Sequence, residues 1–146
     1  MKKFTFYLFA VFALMLFTNV ETRACSCLPF GDESVAKQVA RAKNDARVVF
    51  SGRVLEVIRN PEKHQITVKI KAEKSWKGTV PRRVTITTAS DSALCGYNFE
   101  VGKSYLIYAQ GADAKNLQTN LCTRTAGIAD AKADLRALGK GKIPKS

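Results

Sequence analysis

Four cysteines, two of them separated by a single residue, limit the folds open to this chain more than any other feature. A bridge between Cys25 and Cys27 would strain disulfide geometry, so each is expected to pair with Cys95 or Cys122. Such long-range bridges are each worth at most about 4–5 kcal/mol in the chain-entropy model. That is comparable with the whole stability of a small domain, about 5–15 kcal/mol. The cysteines therefore predict a small domain whose leading residues are tied to distant parts of the chain.

The first 24 residues are typical of a secretory signal. Lys2 and Lys3 precede an apolar run over 4–17, and small residues end the segment at Thr22 and Ala24. The run is shorter than the ~20 apolar residues that span a bilayer, which disfavours the alternative of a retained anchor. Export to the extracellular space or a periplasm would favour disulfide formation. The predicted divisions are a signal peptide at 1–24, one domain at 25–139 and a basic flexible tail at 140–146.

Hydrophobic periodicity along the mature chain predicts five strands between two short helices. Gly52 interrupts the first strand, at a position typical of a bend or bulge. The predicted helices are 34–44 and 128–138, and the predicted strands are 48–58, 66–73, 83–88, 104–109 and 117–122. No helical crossover joins the strands, and an open sheet would leave long edges exposed. We therefore expect a mainly β fold, a five-stranded closed Greek-key barrel of the OB type with a helix at each end.

The sequence contains no recognisable arrangement of catalytic residues. His64 is its one histidine and lies beside a predicted turn, and no nucleophile motif surrounds any serine. The carboxylates of Asp91 and Glu100 are isolated in the sequence. We therefore expect neither enzymatic activity nor a bound cofactor.

A strong basic excess raises the question of an anionic partner, since 24 Lys+Arg stand against 12 Asp+Glu. Part of this excess clusters around the second and third predicted strands, at Lys69, Lys71, Lys77, Arg82 and Arg83. The outer face of the second strand carries no aromatic side chain for base stacking, so nucleic acid is not an expected partner. Two alternatives stay open: a merely solvated face, and a site for anionic polysaccharide, lipopolysaccharide or a membrane surface.

The predicted mature N-terminus has chemistry of its own. Bridges at Cys25 and Cys27 would hold the free α-amine rigidly, and an α-amine with a pKa of about 8 is partly neutral at physiological pH. Together with the carbonyl of Cys25 it could chelate a metal, although two ligands are too few to hold zinc. They suit the open coordination position of a zinc already bound by another protein.

Lipidation of Cys25 is the competing use of this terminus, since a cysteine directly after the signal is a feature of bacterial lipoproteins. That signal favours a leucine where Thr22 stands, and Arg23 is also a poor neighbour. Acylation would abolish both the chelate and the bridge at Cys25.

Several motifs resemble the N-terminal inhibitory domain of the tissue inhibitors of metalloproteinases, within the netrin-like group. The similarity runs from Cys25 to about Leu138. Its specific part is the Cys-x-Cys start with two distant partners. The matching segments are Cys25-Ser26-Cys27, Val48-Val49-Phe50-Ser51-Gly52-Arg53-Val54, Trp76-Lys77-Gly78, Cys95-Gly96, Gly102-Lys103-Ser104-Tyr105-Leu106-Ile107 and Leu121-Cys122. The Lys2-Lys3 start and the single-domain length resemble a bacterial relative.

The resemblance implies the pairs Cys25–Cys95 and Cys27–Cys122. We expect the exported protein to be a monomer. It implies that the amine and carbonyl of Cys25 bind the catalytic zinc of a target metalloendopeptidase. Ser26 would enter the specificity pocket beside the zinc, with Ala93 and Leu94 as a second contact segment. Our first hypothesis is therefore an exported metalloproteinase inhibitor, and the second is a non-inhibitory barrel that binds polyanions at the cell surface.

Overall fold

A computed structural model describes residues 25–28 and 31–144, so the predicted signal peptide lies outside the described residues. In chain order the elements are α1 (Val35–Asp45), β1 (Val48–Asn60), β2 (Gln65–Lys77), β3 (Arg83–Ala89), a 3-10 turn (Ser92–Leu94), β4 (Ser104–Ala109), β5 (Leu117–Gln118), β6 (Ala126–Gly127) and α2 (Lys132–Leu138). The mainly β architecture with a short helix near each end is confirmed. No helix in the described ranges is long and apolar enough to cross a bilayer.

The strands of the described chain form one six-stranded sheet in the order β5-β3-β2-β1-β4-β6. The long strand β1 is central and pairs antiparallel with both β2 and β4. The two-residue strand β5 pairs parallel with β3, and β6 pairs antiparallel with part of β4. The predicted closed five-stranded barrel is not confirmed, because β5 and β6 remain the two edges of the sheet. An isolated bridge between Gln110 and Gln118 joins the end of β4 to β5.

The predicted strand 117–122 shortens to two residues because a side chain competes for its backbone. The Oδ1 atom of Asn120 accepts hydrogen bonds from the backbone N–H of Cys122 at 2.9 Å and of Thr123 at 3.1 Å. This local turn directs the chain out of the ladder. After Gln118 the chain therefore leaves the ladder, and the turn that replaces the rest of the predicted strand carries Cys122.

Gly52 lies at an irregularity of β1, where this strand passes close to β2. The register between β1 and β2 shifts between Ser51 and Gly52, as at a β-bulge. A Cβ atom at Gly52 would lie 2.7 Å from Cγ2 of Ile70 and 2.5 Å from the carbonyl oxygen of Lys71. The close approach of β2 therefore requires glycine here.

We expect Gly52→Ala to lower the free energy of unfolding by about 1–3 kcal/mol, since the added methyl forces the two strands apart. Urea unfolding followed by circular dichroism measures the change. Thr85→Ala, at an exposed position on β3, is the matched control and should alter stability by no more than about 0.5 kcal/mol. Equal stability of both variants would contradict the close packing at Gly52.

Two apolar clusters bury opposite faces of β1 and β4. Phe50 and Ile107 belong to the larger cluster with residues of β2 and β3, whereas Val49, Leu106 and Tyr108 pack with the two helices. Successive residues therefore face different cores, as strand geometry requires. Burial on both faces makes this pair of strands the rigid centre on which the loops are placed.

The segment after α2 returns to the sheet. The indole Nε1–H of Trp76 donates to the carbonyl oxygen of Gly139 at 2.8 Å. Ser75 and Lys142 form two backbone hydrogen bonds, each 2.8 Å long. Residues 139–142, which span the predicted helix stop and the start of the predicted tail, are thus paired with β2.

Candidate functional site

Two disulfides tie the N-terminal segment to two separate turns. Cys25 is bonded to Cys95 and Cys27 to Cys122, with Cα–Cα distances of 5.2 and 5.1 Å. These are the same pairs that the family resemblance implies. Residues 25–28 have no helical or strand pairing, so covalent bonds at alternate residues fix the direction of this segment. The side chain of Ser26 lies between them and is exposed.

The first anchoring turn is shaped by Asp91. Its Oδ1 atom accepts a hydrogen bond from the N–H of Leu94 at 3.0 Å and so caps the 3-10 turn. Cys95 follows in the left-handed conformation, with φ of 60°. The turn exposes Ala93 and Leu94 beside the disulfide. Asp91, an isolated carboxylate in the sequence, thus has a structural role that the Asp-Ser-Ala-Leu pattern could have signalled.

The second anchoring turn, which carries Cys122, is hydrogen-bonded directly to the first, which carries Cys95. The backbone N–H of Leu121 donates to the carbonyl oxygen of Cys95 at 2.9 Å. Beneath it, the hydroxyls of Thr119, Thr123 and Thr125 lie 2.7–2.9 Å from one another. Both turns that receive the disulfides therefore belong to one hydrogen-bonded unit.

Exposed leucines surround the linked terminus. Leu28 is 92% exposed, Leu94 53% and Leu121 43%, and each is the sequence neighbour of a bridged cysteine. The disulfides bring the chain neighbours of these leucines together, and a grouped set of exposed apolar side chains is a feature of protein-binding surfaces. We call this set the N-terminal surface; it comprises Cys25, Ser26, Cys27, Leu28, Ala93, Leu94 and Leu121. Leu28 and Leu121 were absent from the sequence-predicted site, because neither carries a chemical signal of its own.

The described residues contain one cluster with the composition of a metal site. The sulfur atoms of Cys25, Cys27 and Cys122 lie within 4.8 Å of one another. All three are in disulfides, and no cysteine in the described ranges is free. A bridged sulfur is not a thiolate ligand, so this cluster is accounted for without a resident metal.

The predicted basic residues have different roles in the structure. Lys77 donates to the carbonyl oxygens of Lys43 and Asn44 at 2.8 Å each and so caps the end of α1. Lys69 forms a 2.8 Å ion pair with Glu56. Of the rest, Lys71 and Arg83 are cross-strand neighbours, and Arg82 immediately precedes β3. Only part of the predicted patch is therefore assembled, and polyanion binding stays a prediction.

The sequence matches known proteins over most of the region described above. The sequence profile of the family described as tissue inhibitor of metalloproteinase matches residues 23–130. The chain is also 36% identical over 106 residues to metalloproteinase inhibitor 2 of Cricetulus longicaudatus, covering 68% of this chain and 53% of that protein. It thus spans about half the length of this curated relative. The matched residues include the four cysteines and the N-terminal surface.

Proposed function

Because the chain belongs to the tissue inhibitor of metalloproteinase family, we propose that it inhibits a zinc metalloendopeptidase through its processed N-terminus. The observation that carries this proposal is the double anchoring of residues 25–27 at alternate positions, with exposed leucines around them. Membership of a family of inhibitors also supports a non-enzymatic role. The bacterial origin stays a prediction.

The proposed inhibition requires removal of residues 1–24. In the full chain the nitrogen of Cys25 is an amide bonded to Ala24, and an amide nitrogen is a poor metal ligand. Cleavage converts it into an α-amine with a pKa of about 8, whose neutral form can coordinate a metal ion. The same export route places the cysteines in an oxidising compartment, where their bridges persist.

In the proposed complex, the amine and carbonyl of Cys25 occupy the open coordination position of the protease's catalytic zinc. A catalytic zinc holds its nucleophilic water at this position. Displacing that water removes the reacting group while the protein ligands of the zinc stay in place. The chain would then inhibit the protease by binding alone, without catalysing or undergoing a reaction.

The neighbouring residues would provide affinity and selectivity. Ser26 follows the chelating residue and would enter the adjacent specificity pocket, where its small size and hydroxyl group favour some proteases over others. Ala93 and Leu94 would contact the protease on one side, and Leu121 extends this apolar contact. Because the disulfides already order the segment, binding would cost little conformational entropy.

Inhibition constants of the processed protein against a panel of zinc metalloendopeptidases test the proposal. We expect Leu94→Glu to weaken inhibition at least about tenfold, since it places a charge in an apolar contact. Ile143→Glu is the matched control: Ile143 is 81% exposed but lies on the C-terminal segment beside β2. Failure of the processed wild-type protein to inhibit any panel member, or equal weakening by both variants, would contradict the proposed site.

A further inference from the structure

A partly buried polar network next to the N-terminal surface joins three elements. The guanidinium of Arg124 donates from Nε and Nη2 to both carboxylate oxygens of Asp134, at 2.8 and 2.6 Å. Its Nη1 atom donates to Oε1 of Gln38 at 2.7 Å. Arg124 follows closely after Cys122, Gln38 lies on α1 and Asp134 on α2. One side chain thus connects the second anchoring turn with both helices.

The network also holds the chain that follows the N-terminal surface. The Nε2 atom of Gln38 donates to the carbonyl oxygen of Glu33 at 2.8 Å and lies 3.4 Å from that of Gly31. Only a few residues separate Gly31 from Cys27. The leading segment is therefore held from both sides, by disulfides before Leu28 and by Gln38 after it.

From this connectivity we propose that Arg124, Gln38 and Asp134 are positioning residues, which fix the N-terminal surface without contacting the protease. The inference rests on the proposed function for its inhibitory consequence. Its structural part, the fixing of residues 25–28 and 31–33 by a side chain two positions after Cys122, is independent of that function.

The geometry favours a fixed clamp over a surface ion pair. The side chains of Arg124 and Asp134 are 18% and 9% exposed. Tyr108 donates from its hydroxyl to Oδ2 of Asp134 at 3.1 Å, and burial followed by the nearby carboxylate raises the pKa of Tyr108. The proton therefore stays on Tyr108 at physiological pH, and Asp134 keeps donors from two directions. A bidentate pair with a third hydrogen bond has one favoured orientation.

Replacing Arg124, Asp134 and the tyrosine hydrogen-bonded to Asp134 by apolar side chains removes the clamp without leaving a buried charge unpaired. Removal of one charge would leave its partner buried and unpaired, whereas replacement of all partners by apolar groups is often tolerated. We therefore choose the triple variant Tyr108→Phe, Arg124→Met and Asp134→Leu. The milder variant Gln38→Ala removes only the link between Arg124 and the backbone at Glu33. It is used if the triple variant does not fold. Lys37→Ala, an exposed neighbour on α1, is the matched control.

Backbone order parameters from 15N relaxation provide the readout that a merely stabilising role would not change. In the triple variant or in Gln38→Ala, we expect the order parameters of residues 26–28 and 31–33 to fall from about 0.85 towards 0.6. Those of β1–β3 should not change. We expect the inhibition constant to rise about tenfold, within the range of coupling between connected residues. Lys37→Ala should change neither quantity.

The two hypotheses fail in different ways. Unchanged order parameters at 26–28 and 31–33 in folded variants would overturn the positioning role, whatever the inhibition constants. Lower order parameters with an unchanged inhibition constant would overturn the link between positioning and inhibition. Absence of inhibition by the wild-type protein would overturn the proposed function, while the order parameters would still decide whether Arg124 fixes the segment.

Discussion

Adding one alanine before Cys25, or acetylating the α-amine of processed Cys25, is expected to weaken inhibition of a zinc metalloendopeptidase about a thousandfold. Either change converts the coordinating amine into an amide and adds atoms where the zinc must approach. Metal coordination is worth several kcal/mol, and each ~1.4 kcal/mol corresponds to a tenfold change in binding. Because the change lies outside both disulfides, the fold should stay intact. The unprocessed chain with residues 1–24 should be equally weak.

Inhibition constants, near-ultraviolet circular dichroism and thermal unfolding of the processed and extended proteins measure this effect. The control is an alanine added after Ser146, which has the same composition change at the other end of the chain. Intact mass must confirm that the processed protein begins at an unmodified Cys25, because a lipid or formyl group would have the same effect. Equal potency of the processed and extended forms would exclude zinc coordination by the terminus.

Local patterns were sufficient to predict most of the fold. Alternation along 66–73 correctly predicted a strand, and Gly52 correctly marked a bulge in β1, because strand period and glycine placement are encoded in neighbouring residues. The predicted strand 117–122 was too long, since its length depended on the competition between a backbone ladder and the Asn120 side chain. Propensity favours a strand at 117–122, but one amide oxygen satisfying two backbone donors ends it.

The candidate site was predictable where the residue type itself restricts the chemistry. Cysteine spacing required long-range bridges, and these place Cys25 and Cys27 on the turns at Cys95 and Cys122. Leu121 and Arg124 gave no such signal, because leucine and arginine are common in any sequence. Their roles depend on a backbone contact with Cys95 and on a carboxylate of α2. Such tertiary pairings leave no local pattern.

Replacing Cys25 and Cys95 together by serine is expected to reduce both stability and inhibition, the latter by about a hundredfold. The variant keeps an α-amine and a carbonyl at residue 25, so the metal-binding atoms are unchanged. Loss of a native bridge costs a small domain about 2–5 kcal/mol of unfolding free energy. Inhibition should fall further than unfolding explains, because the leading residue would have to be ordered on binding and would lose its link to the turn that exposes Leu94.

The decisive comparison is between this double variant and Gly52→Ala, which is expected to lose stability while retaining both bridges. Both proteins are assayed well below their unfolding temperatures, with the folded fraction measured by circular dichroism. If rigidity of the terminus determines affinity, Gly52→Ala keeps the wild-type inhibition constant and the serine variant dissociates from the protease much faster. If the two variants inhibit equally well per folded molecule, the disulfide contributes only to stability. The covalent anchoring of residue 25 would then have no direct part in inhibition.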